Sequence, residues 1–599
     1  MKFQKKERRY LFYVLILCVF LRILQSFPLD NSNLLGGADF SFHFFRVWDI
    51  FENGYMRWNG FWYAGFPFEI YSPMSHFLGS SLAGLVGFLL SYKFFIDLVF
   101  VLTPIAFFLF LKEFNLSPYQ MMISLVLFSL IPLYSYYQFD GRYPALMNIF
   151  FGLIYWKFLK RSIDNWNKKE FLITSLFFSL MILVHSLTAV IFGFVTFFWA
   201  LSYSPNLRTA INFSKIILLS FLFSSFWLVP FIFESLKVST FSQAGTGVNV
   251  VGRTFENIIF IKPLSYYFVS EFSFVFVWIS LLVMLFFSSL SLFLIKKRNV
   301  KALIFSGVGI VLLIIFLKYN RALIVLPIPL SILAGYGASL LKKSYFLIPF
   351  IVFLTGLGFF SLRYQVFSFP EIPQIPQDGR VLFLPSTVFA LNPQDSRNLL
   401  EVFLSPLSGN PNIIGWFPES QSAEKKTFND MILNPFNYPA DQYQNFLDEG
   451  WVNYLVVGKQ SPSLIDYFGS NPNFTVINET NDLILFGLNN HTSYLEINSK
   501  QIMPFKTDRK NDEILVNFTC SPGKLLVKES FHPNLEGKIN GEIIQLEKDP
   551  FGFTTSSINN TGPCLLDLQF KEPLIYYPFY LISPLVLISY LFVYFSKKK

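Results

Sequence analysis

Charge is the first thing this sequence lacks. Asp, Glu, Lys and Arg make up 14% of its 599 residues, while 53% are hydrophobic and 19% aromatic. A soluble domain carries roughly 25% charged residues, so the composition excludes a soluble globular protein and leaves an integral membrane protein. Cysteine is scarcer still, with three in the chain, too few for a disulfide framework. The five histidines form no compact His/Asp/Glu cluster with metal-ligand spacing. There is no P-loop and no dinucleotide fingerprint, so a soluble nucleotide cosubstrate is not indicated. Internal repeats and low-complexity tails are also missing. No small-residue cleavage site follows the basic start "KFQKKERR" and its apolar run, which therefore reads as an uncleaved first membrane helix.

What is present is a series of long apolar runs, near residues 10–26, 94–111, 119–136, 143–160, 171–203, 215–233, 266–295, 302–318, 321–341, 344–362 and 575–595. Most reach the ~20 residues that a spanning helix needs. The run 171–203 is too long for one span and holds His185 at its middle, so it is predicted to be a helical hairpin. That gives about twelve spans. A further stretch, 77–91, is short and rich in Gly and Ser.

Basic residues cluster at helix ends: "KFQKKERR", "KRSIDNWNKK" (160–169), "KKRNVK" (296–301), "KK" (342–343) and "SKKK". The positive-inside rule puts all of these in the cytoplasm. They agree only if 171–203 crosses twice and 77–91 does not cross, so 77–91 is predicted to be re-entrant or interfacial. The overall charge of +9 therefore says nothing about nucleic acid, and none is expected as a partner. On this topology residues 27–93, 136–144, the His185 tip, 234–263, 318–321 and 363–572 face outward. His43, His76 and His185 then share the outer side.

Residues 363–572 hold 15 Lys+Arg against 24 Asp+Glu, a net of −9, and the rest of the chain nets +18. This acidic part opens on "FPEIPQIPQDG", which cannot continue a helix. Short runs follow: "GRVLFLP", "WVNYLVVG", "FTVINET", "LILFGL", "EILVNFTC", "KLLVKESF" and "CLLDLQF". Gly, Pro, Asn and Asp separate them, which predicts a mainly β domain ending in a sandwich. Asn-x-Ser/Thr acceptor sites at Asn473, Asn478, Asn490, Asn517 and Asn559 agree with an external location. Cys520 and Cys564 could pair in an oxidising compartment or remain two separate thiols; Cys18 lies in the first helix.

The stretch "GGADFSFHFFRVWDIFENGYMRWNGFWYAGFPFEIYSP" (36–73) is too polar for a linker between membrane helices. If helical, Asp39, His43 and Arg46 (i, i+4, i+7) lie on one stripe, an acid, an imidazole and a guanidinium facing one way. The alternative is a juxtamembrane helix capped by Asp39, with Arg46 reaching to lipid phosphate. Asp49 and Glu52 fall off that stripe and read as solvated or structural. The aromatic set at 58–71 suits the membrane interface or a sugar platform. "DFSFH" could supply two ligands to a divalent metal but lacks evident partners.

These residues resemble a family. "GADFSFHFFR…ENGYMRWNGFWYAGFPFEIYSP" is similar to the first external loop of the GT-C superfamily of membrane glycosyltransferases. The resemblance is strongest to archaeal membrane proteins labelled "6-pyruvoyl-tetrahydropterin synthase-related" and to bacterial YfhO-type glycosyltransferases. "FDGRYPALMNIFFGLIYW", "LVHSLTAVIFG", "WLVPFIFE" and "NRALIVLPIPLSILAGYGASLL" follow in order, and the tail "KESFHPNLEGKINGEIIQL" with the last helix fits as well. Nothing in the residues supports pterin chemistry. The "WWDYG" element of oligosaccharyltransferases is missing, which argues against transfer of a whole glycan to asparagine. Where relatives have Arg-Gly followed by an acid, this chain has "GRYPALMN".

The resemblance implies a GT-C-like polytopic α-helical membrane protein, with residues 1–362 as membrane domain and 27–93 as its catalytic loop. Residues 363–572 form an extracytoplasmic mainly β domain, and 573–599 the last helix. It implies a polyprenyl-phosphate-linked sugar donor and an extracytoplasmic glycan or protein acceptor, with Asp39 as base. His43 is counted with Asp39 as catalytic. Arg46, Arg142, Arg321 and His185 are the candidates for the donor phosphate, alongside His43. Arg321 and Arg142 also read as interfacial anchors, and His185 as a buried polar contact. The competing function is a non-catalytic membrane scaffold or lipid-handling protein that anchors a surface complex. A transporter fits less well, because the charges sit at span ends rather than within them.

Overall fold

The computed structural model describes residues 5–26, 33–35, 40–54, 58–59, 65–67, 71–139, 141–165, 168–237, 282–317, 324–340, 366–368, 371–376, 378–384, 427–428, 431–433, 435–459, 461–504, 506–510 and 512–596. Asp39, Arg321, the predicted span 344–362 and the first part of 266–295 lie outside them.

The membrane part begins with α1 (Lys5–Leu24), β1 (Asn33–Leu35), α2 (Phe40–Asn53) and the short pair β2 (Trp58–Asn59) and β3 (Phe66–Pro67). Helices α3 (Met74–Ser81), α4 (Ala83–Val86), α5 (Phe88–Leu111), α6 (Pro118–Ser129), α7 (Pro132–Phe139), α8 (Tyr143–Asn165), α9 (Lys168–Tyr203) and α10 (Leu207–Lys237) follow. After them come α11 (Arg298–Leu317) and α12 (Pro327–Ala338). Among the described residues, four segments are long and apolar enough to cross a membrane by length and composition: Phe88–Leu111, Pro118–Ser135, Lys168–Tyr203 and Leu207–Glu234. One apolar cluster runs through α1, α5, α6, α8, α9, α11 and α12, so these helices form one bundle.

The predicted run 94–111 starts earlier than expected, at Phe88, because Gly87 takes φ 87°, ψ 155° and ends the preceding helical turn there. The run 119–136 is interrupted after Ser129, where Pro132 opens a new helix. Helix α6 starts on a capping box: Ser117 Oγ accepts from Gln120 N at 3.3 Å, and Gln120 Oε1 accepts from Ser117 N at 2.8 Å.

At His185 the chain reverses. The residue takes φ −160°, ψ 91°, which no helix tolerates. Before it, Thr174 meets Ser162 and Phe178 meets Tyr155, antiparallel to α8. After it, Phe192 and Thr196 meet Trp156, and Tyr203 meets Lys160, parallel to α8. The break leaves carbonyls and amides without helical partners, and side chains take them. Asn148 Nδ2 donates to Met181 O (3.0 Å) and His185 O (2.7 Å). Ser72 Oγ donates to Ile182 O and accepts from Ser186 N. His185 Nδ1 accepts from Thr188 N at 3.2 Å, capping the second half.

The bundle has two chemically different ends. At one, Arg161 pairs with Glu113 at 2.8 Å, Lys160 bonds Asp164 and Tyr203, and Arg298 stacks on the Tyr203 ring. At the other lie α2, α3, the His185 reversal and the start of α8. Segment 74–86 stays there: Ser75 reaches Val184 O, Ser91 reaches Gly79 O, and Gly84 lies against Phe51 of α2. At 1.5 Å per residue its two short helices span about 20 Å, less than a bilayer core.

The acidic part begins with β4 (Val366–Ser368) and then divides in two. The first half, expected to be β, is mixed. Strands β5 (Arg380–Phe383), β6 (Val452–Gly458), β7 (Phe474–Glu479) and β8 (Leu483–Leu488) form a sheet in order β5-β6-β8-β7, with β5 and β6 parallel. Helices α13 (Ala440–Glu449) and α14 (Pro462–Gly469) pack on it through Tyr443, Leu447, Leu464 and Phe468. A parallel pair needs a long crossover, and α13 lies within that connection.

The second half is a sandwich. Its strands are β9 (Leu495–Ile497), β10 (Lys500–Ile502), β11 (Lys506–Lys510), β12 (Glu513–Cys520), β13 (Gly523–Ser530), β14 (Leu535–Ile539), β15 (Glu542–Ile544), β16 (Glu547–Lys548), β17 (Phe553–Ile558) and β18 (Gly562–Phe570). The two sheets run β10-β9-β13-β17-β16 and β11-β12-β18-β14-β15. Alternating burial along β12 and β18 places Ile514, Val516, Phe518, Leu566 and Leu568 in the core between them. Cys520 and Cys564 are joined by a disulfide, their Cα atoms 5.8 Å apart. The final helix, α15 (Tyr577–Ser596), returns along α10, where Ser583 Oγ meets Ser225 Oγ at 3.0 Å.

Three ties hold the acidic part to the histidine end of the bundle. Strand β1 pairs antiparallel with β4, Leu34 opposite Phe367. Trp58 is buried against the sandwich: it stacks on Phe570 at 5.5 Å, its backbone N–H donates to Asp512 at 2.9 Å, and its indole N–H donates to Glu529 at 3.2 Å. At the end of α10, buried Glu234 accepts from Asn534 (2.8 Å) and Tyr576 (2.6 Å) and lies 3.1 Å from His532 Nε2. Trp58 is thus neither a membrane-interface residue nor a sugar platform.

Candidate active site

Helix α2 buries His43, Arg46 and Asp49, and leaves Glu52 exposed. Of the two readings left open for these carboxylates, Asp49 is therefore structural and Glu52 solvated. The bundle end covers a face wider than the single stripe expected, because α3, α5 and α8 converge on α2. Arg46 is fully buried, near enough to act electrostatically on His76 and Tyr143.

His43 and His76 meet directly, Nδ1 to Nε2, at 3.0 Å. His76 comes from α3, and its own Nδ1 lies 3.3 Å from Ser72 O. Three aromatic rings fix the pair. Tyr143 stands edge-on to His43 at 5.2 Å and Phe42 to His43 at 5.0 Å. Tyr71 packs against His43 (5.5 Å), His76 (5.4 Å) and His185 (6.1 Å). Burial, then the neighbouring His43 and Arg46, push the His76 imidazole well below its ordinary pKa, so it is held neutral.

Of the residues singled out from sequence, His43, Arg46 and His185 come together here. Arg142 directly precedes Tyr143, and its guanidinium lies over Tyr137 at 5.6 Å. Asp39, one residue before α2, and Arg321 lie outside the described residues. His185 has a structural task as the cap of its own hairpin. Two members of the cluster, His76 and Tyr143, had no role assigned from sequence. The only signal for His76 was the topological one that placed all three membrane-part histidines on one side. Among the described residues, no group of three or more His, Cys, Asp or Glu side chains could hold a metal ion.

The cluster thus sets a buried imidazole pair near a buried guanidinium at the end of the apolar bundle to which the acidic part is tied. Residues 68–335 match the family described as "6-pyruvoyl-tetrahydropterin synthase related domain; membrane protein". Among solved structures, the arabinofuranosyltransferase AftD from Mycobacteria (R1389S mutant) superposes with TM-score 0.56 and 10% identity, over 94% of this chain and 60% of that one. The AftD structure without that mutation gives TM-score 0.53 and 12% identity, over 94% and 57%. The chain has the GT-C fold. It spans about three fifths of the length of AftD, so the likeness is one of GT-C architecture. ArnT from Cupriavidus metallidurans bound to undecaprenyl phosphate aligns at TM-score 0.49 and 11% identity, over 80% of this chain and 97% of that one, a level that does not establish a common fold. No curated protein matches the sequence.

Proposed function

We propose that this GT-C chain is a membrane glycosyltransferase that moves a sugar from a polyprenyl-phosphate-linked donor to an acceptor outside the membrane. The observation that carries the reading is the buried His43–His76–Arg46 cluster at the end of the bundle to which the acidic domain is tied. A scaffold needs no such cluster. In this reading the chain crosses the bilayer about twelve times, and the histidine end and the acidic domain face outward.

Asp39, one residue before α2 in sequence, is the base. It takes the proton of an acceptor hydroxyl as that oxygen bonds to the anomeric carbon, and the carbon–oxygen bond to phosphate breaks with its electron pair leaving on the phosphate. One displacement inverts the anomeric centre. The departing lipid phosphate needs cations rather than a strong acid, and Arg46 and Arg142 are suited to bidentate contact with it. Arg321 would add a third. The acidic domain, held by Trp58 and Glu234, selects the acceptor.

Asp39→Asn tests this directly. Transfer should fall by about 10²–10⁴-fold with the fold intact, read by mass spectrometry of lipid-linked sugars and glycans in a deletion strain carrying the variant. Undiminished glycan transfer by the variant would remove Asp39 from the chemistry. Stoichiometric protein partners with no bound polyprenyl lipid would favour the scaffold instead.

A further inference from the structure

Once folded, the Asn-x-Ser/Thr sites of the acidic part are not equivalent. Asn473, Asn478, Asn490, Asn517 and Asn559 are all exposed, so exposure of the asparagine does not separate them. The rest of the motif does. It is read at two groups, the carboxamide that takes the sugar and the hydroxyl two residues on. A transferase that acts on a folded domain needs both of them free, on backbone that it can seize. Thr492, the hydroxyl partner of Asn490, is buried, and its N–H and Oγ1 both donate to Asn453 Oδ1, at 2.9 and 3.0 Å. Thr475, which serves Asn473, donates its hydroxyl to Asn489. At the next site Asn478 Oδ1 accepts from Glu479 N at 2.8 Å, and Thr480 Oγ1 accepts from Leu483 N at 3.2 Å. Asn517 lies within β12, paired with Lys506 on one side and Leu565 on the other. Reaching it would strip two ladders of backbone hydrogen bonds.

Asn559 meets every requirement. Asn559, Asn560 and Thr561 are the whole link between β17 and β18, which belong to different sheets, so the link crosses the edge of the sandwich outside both. Asn559 and Thr561 are exposed, and among the described residues neither side chain forms a hydrogen bond. Gly562, next in the chain, pairs with Cys520, and the Cys520–Cys564 disulfide closes beside it, so the loop leaves a fixed frame. A disulfide belongs to an oxidising, extracytoplasmic compartment, the side on which such motifs are modified. The loop is also remote from the bundle junction. Phe570, at the other end of the nine-residue β18, stacks on Trp58, and at ~3.3 Å per residue the loop lies about 26 Å along the strand from it. A bulky, hydrated substituent there leaves the junction clear.

We propose that Asn559 is a modification site that carries an N-linked glycan, added to the folded sandwich by a separate membrane transferase from a lipid-phosphate-linked glycan. In that step Nδ2 of Asn559 bonds to the anomeric carbon. The bond from that carbon to the phosphate oxygen breaks with its electron pair staying on the phosphate, and the amide proton passes to a base on the transferase. The site rests on the outward placement of the acidic domain in the proposed function. It does not depend on which sugar this chain itself transfers.

Full-length protein isolated from the membranes of its native host, digested and read by mass spectrometry, tests this. The Asn559 peptide should carry a saccharide mass, and the peptides of the other four sites none. Asn559→Gln and Thr561→Val should each abolish the adduct, whereas Thr561→Ser, which keeps the hydroxyl, should retain it. All three changes fall on an exposed loop, and an intact Cys520–Cys564 disulfide verifies that each variant has folded. A bare Asn559 in the native protein, an adduct that survives Thr561→Val, or comparable modification at Asn490 overturns the proposal. Protease treatment of right-side-out membrane vesicles separates the two ways of failing. If the acidic domain is cleaved from outside while Asn559 is bare, the glycan alone is refuted. If the domain is protected, the outward placement fails and the glycan with it.

Discussion

The indole N–H of Trp58 donates to Oε1 of Glu529 at 3.2 Å, across 471 residues of sequence. Glu529 is fully buried, and its other oxygen takes Arg380 at 3.1 Å and Tyr494 at 3.2 Å. One carboxylate therefore joins the loop beside the candidate site, the mixed sheet and the sandwich. Gly65 lies against the same junction at φ 103°, where an added Cβ would collide with the Trp58 ring and the Glu529 carboxylate.

Removing the indole should free the loop. Trp58→Ala is expected to cost about 3–5 kcal/mol and to expose residues 27–73 to protease, whereas Trp58→Phe keeps the stacking on Phe570 and loses only the hydrogen bond. Thermal melts and limited proteolysis of the purified chain check this. Unchanged cleavage in Trp58→Ala would show that the loop is held by something else.

The charge pair should be worth more broken than absent. Arg380→Met strands a buried carboxylate at a cost of about 3–5 kcal/mol. Glu529→Gln keeps an acceptor for Trp58, and the double variant should lose less than the sum of the singles by about 0.5–3 kcal/mol. A double-mutant cycle in denaturant reads the difference, and strict additivity would mean that the two side chains are not coupled.

The His185 reversal depends on capping. His185→Ala removes the acceptor for Thr188 N and should cost about 0.5–2 kcal/mol. His185→Asn restores a good N-cap and should recover most of the loss. If both variants melt alike, the ring contributes through packing on Tyr71 instead.

A pH effect follows from α13, whose last turn carries Asp448 and Glu449. Burial raises both carboxyl groups above their ordinary range, and the negative end of the helix adds to the cost of ionising them. The folded state therefore holds these protons longer than the unfolded chain does. The stability linked to them is complete below the ordinary carboxylate pKa and lost as pH rises through the raised folded values. Glu449→Gln should accordingly melt higher than the native protein at pH 7, with the gain vanishing near pH 4. A gain independent of pH would assign the effect to packing.

Much of this architecture is legible in the residues. Each of the seven short runs chosen from the acidic half lies on a strand, because short runs of β-branched, aromatic and aliphatic residues bounded by turn residues mark strands locally. The reversal at His185 was readable because a mainly apolar run of 33 residues exceeds one bilayer crossing. The mixed sheet of the first half was not, since its helices α13 and α14 are short and their apolar residues few. Between the two readings of Asp49 the residues could not choose: a helical stripe says which residues share a direction, not how wide a face the neighbours cover, and burial makes it structural.

By itself, then, the sequence determined that the chain lives in a membrane, that it carries an acidic β-rich part, and that one polar loop interrupts the greasy runs. These follow from hydropathy, charge and local periodicity, which are additive along the chain. Only the tertiary structure decided that His76 meets His43, that Arg46 and Asp49 are buried, and that Trp58 belongs to a domain hundreds of residues away. Such pairings arise where separate elements converge, and their partners share no local signal because each side chain is chosen for a contact its own neighbours in sequence never make.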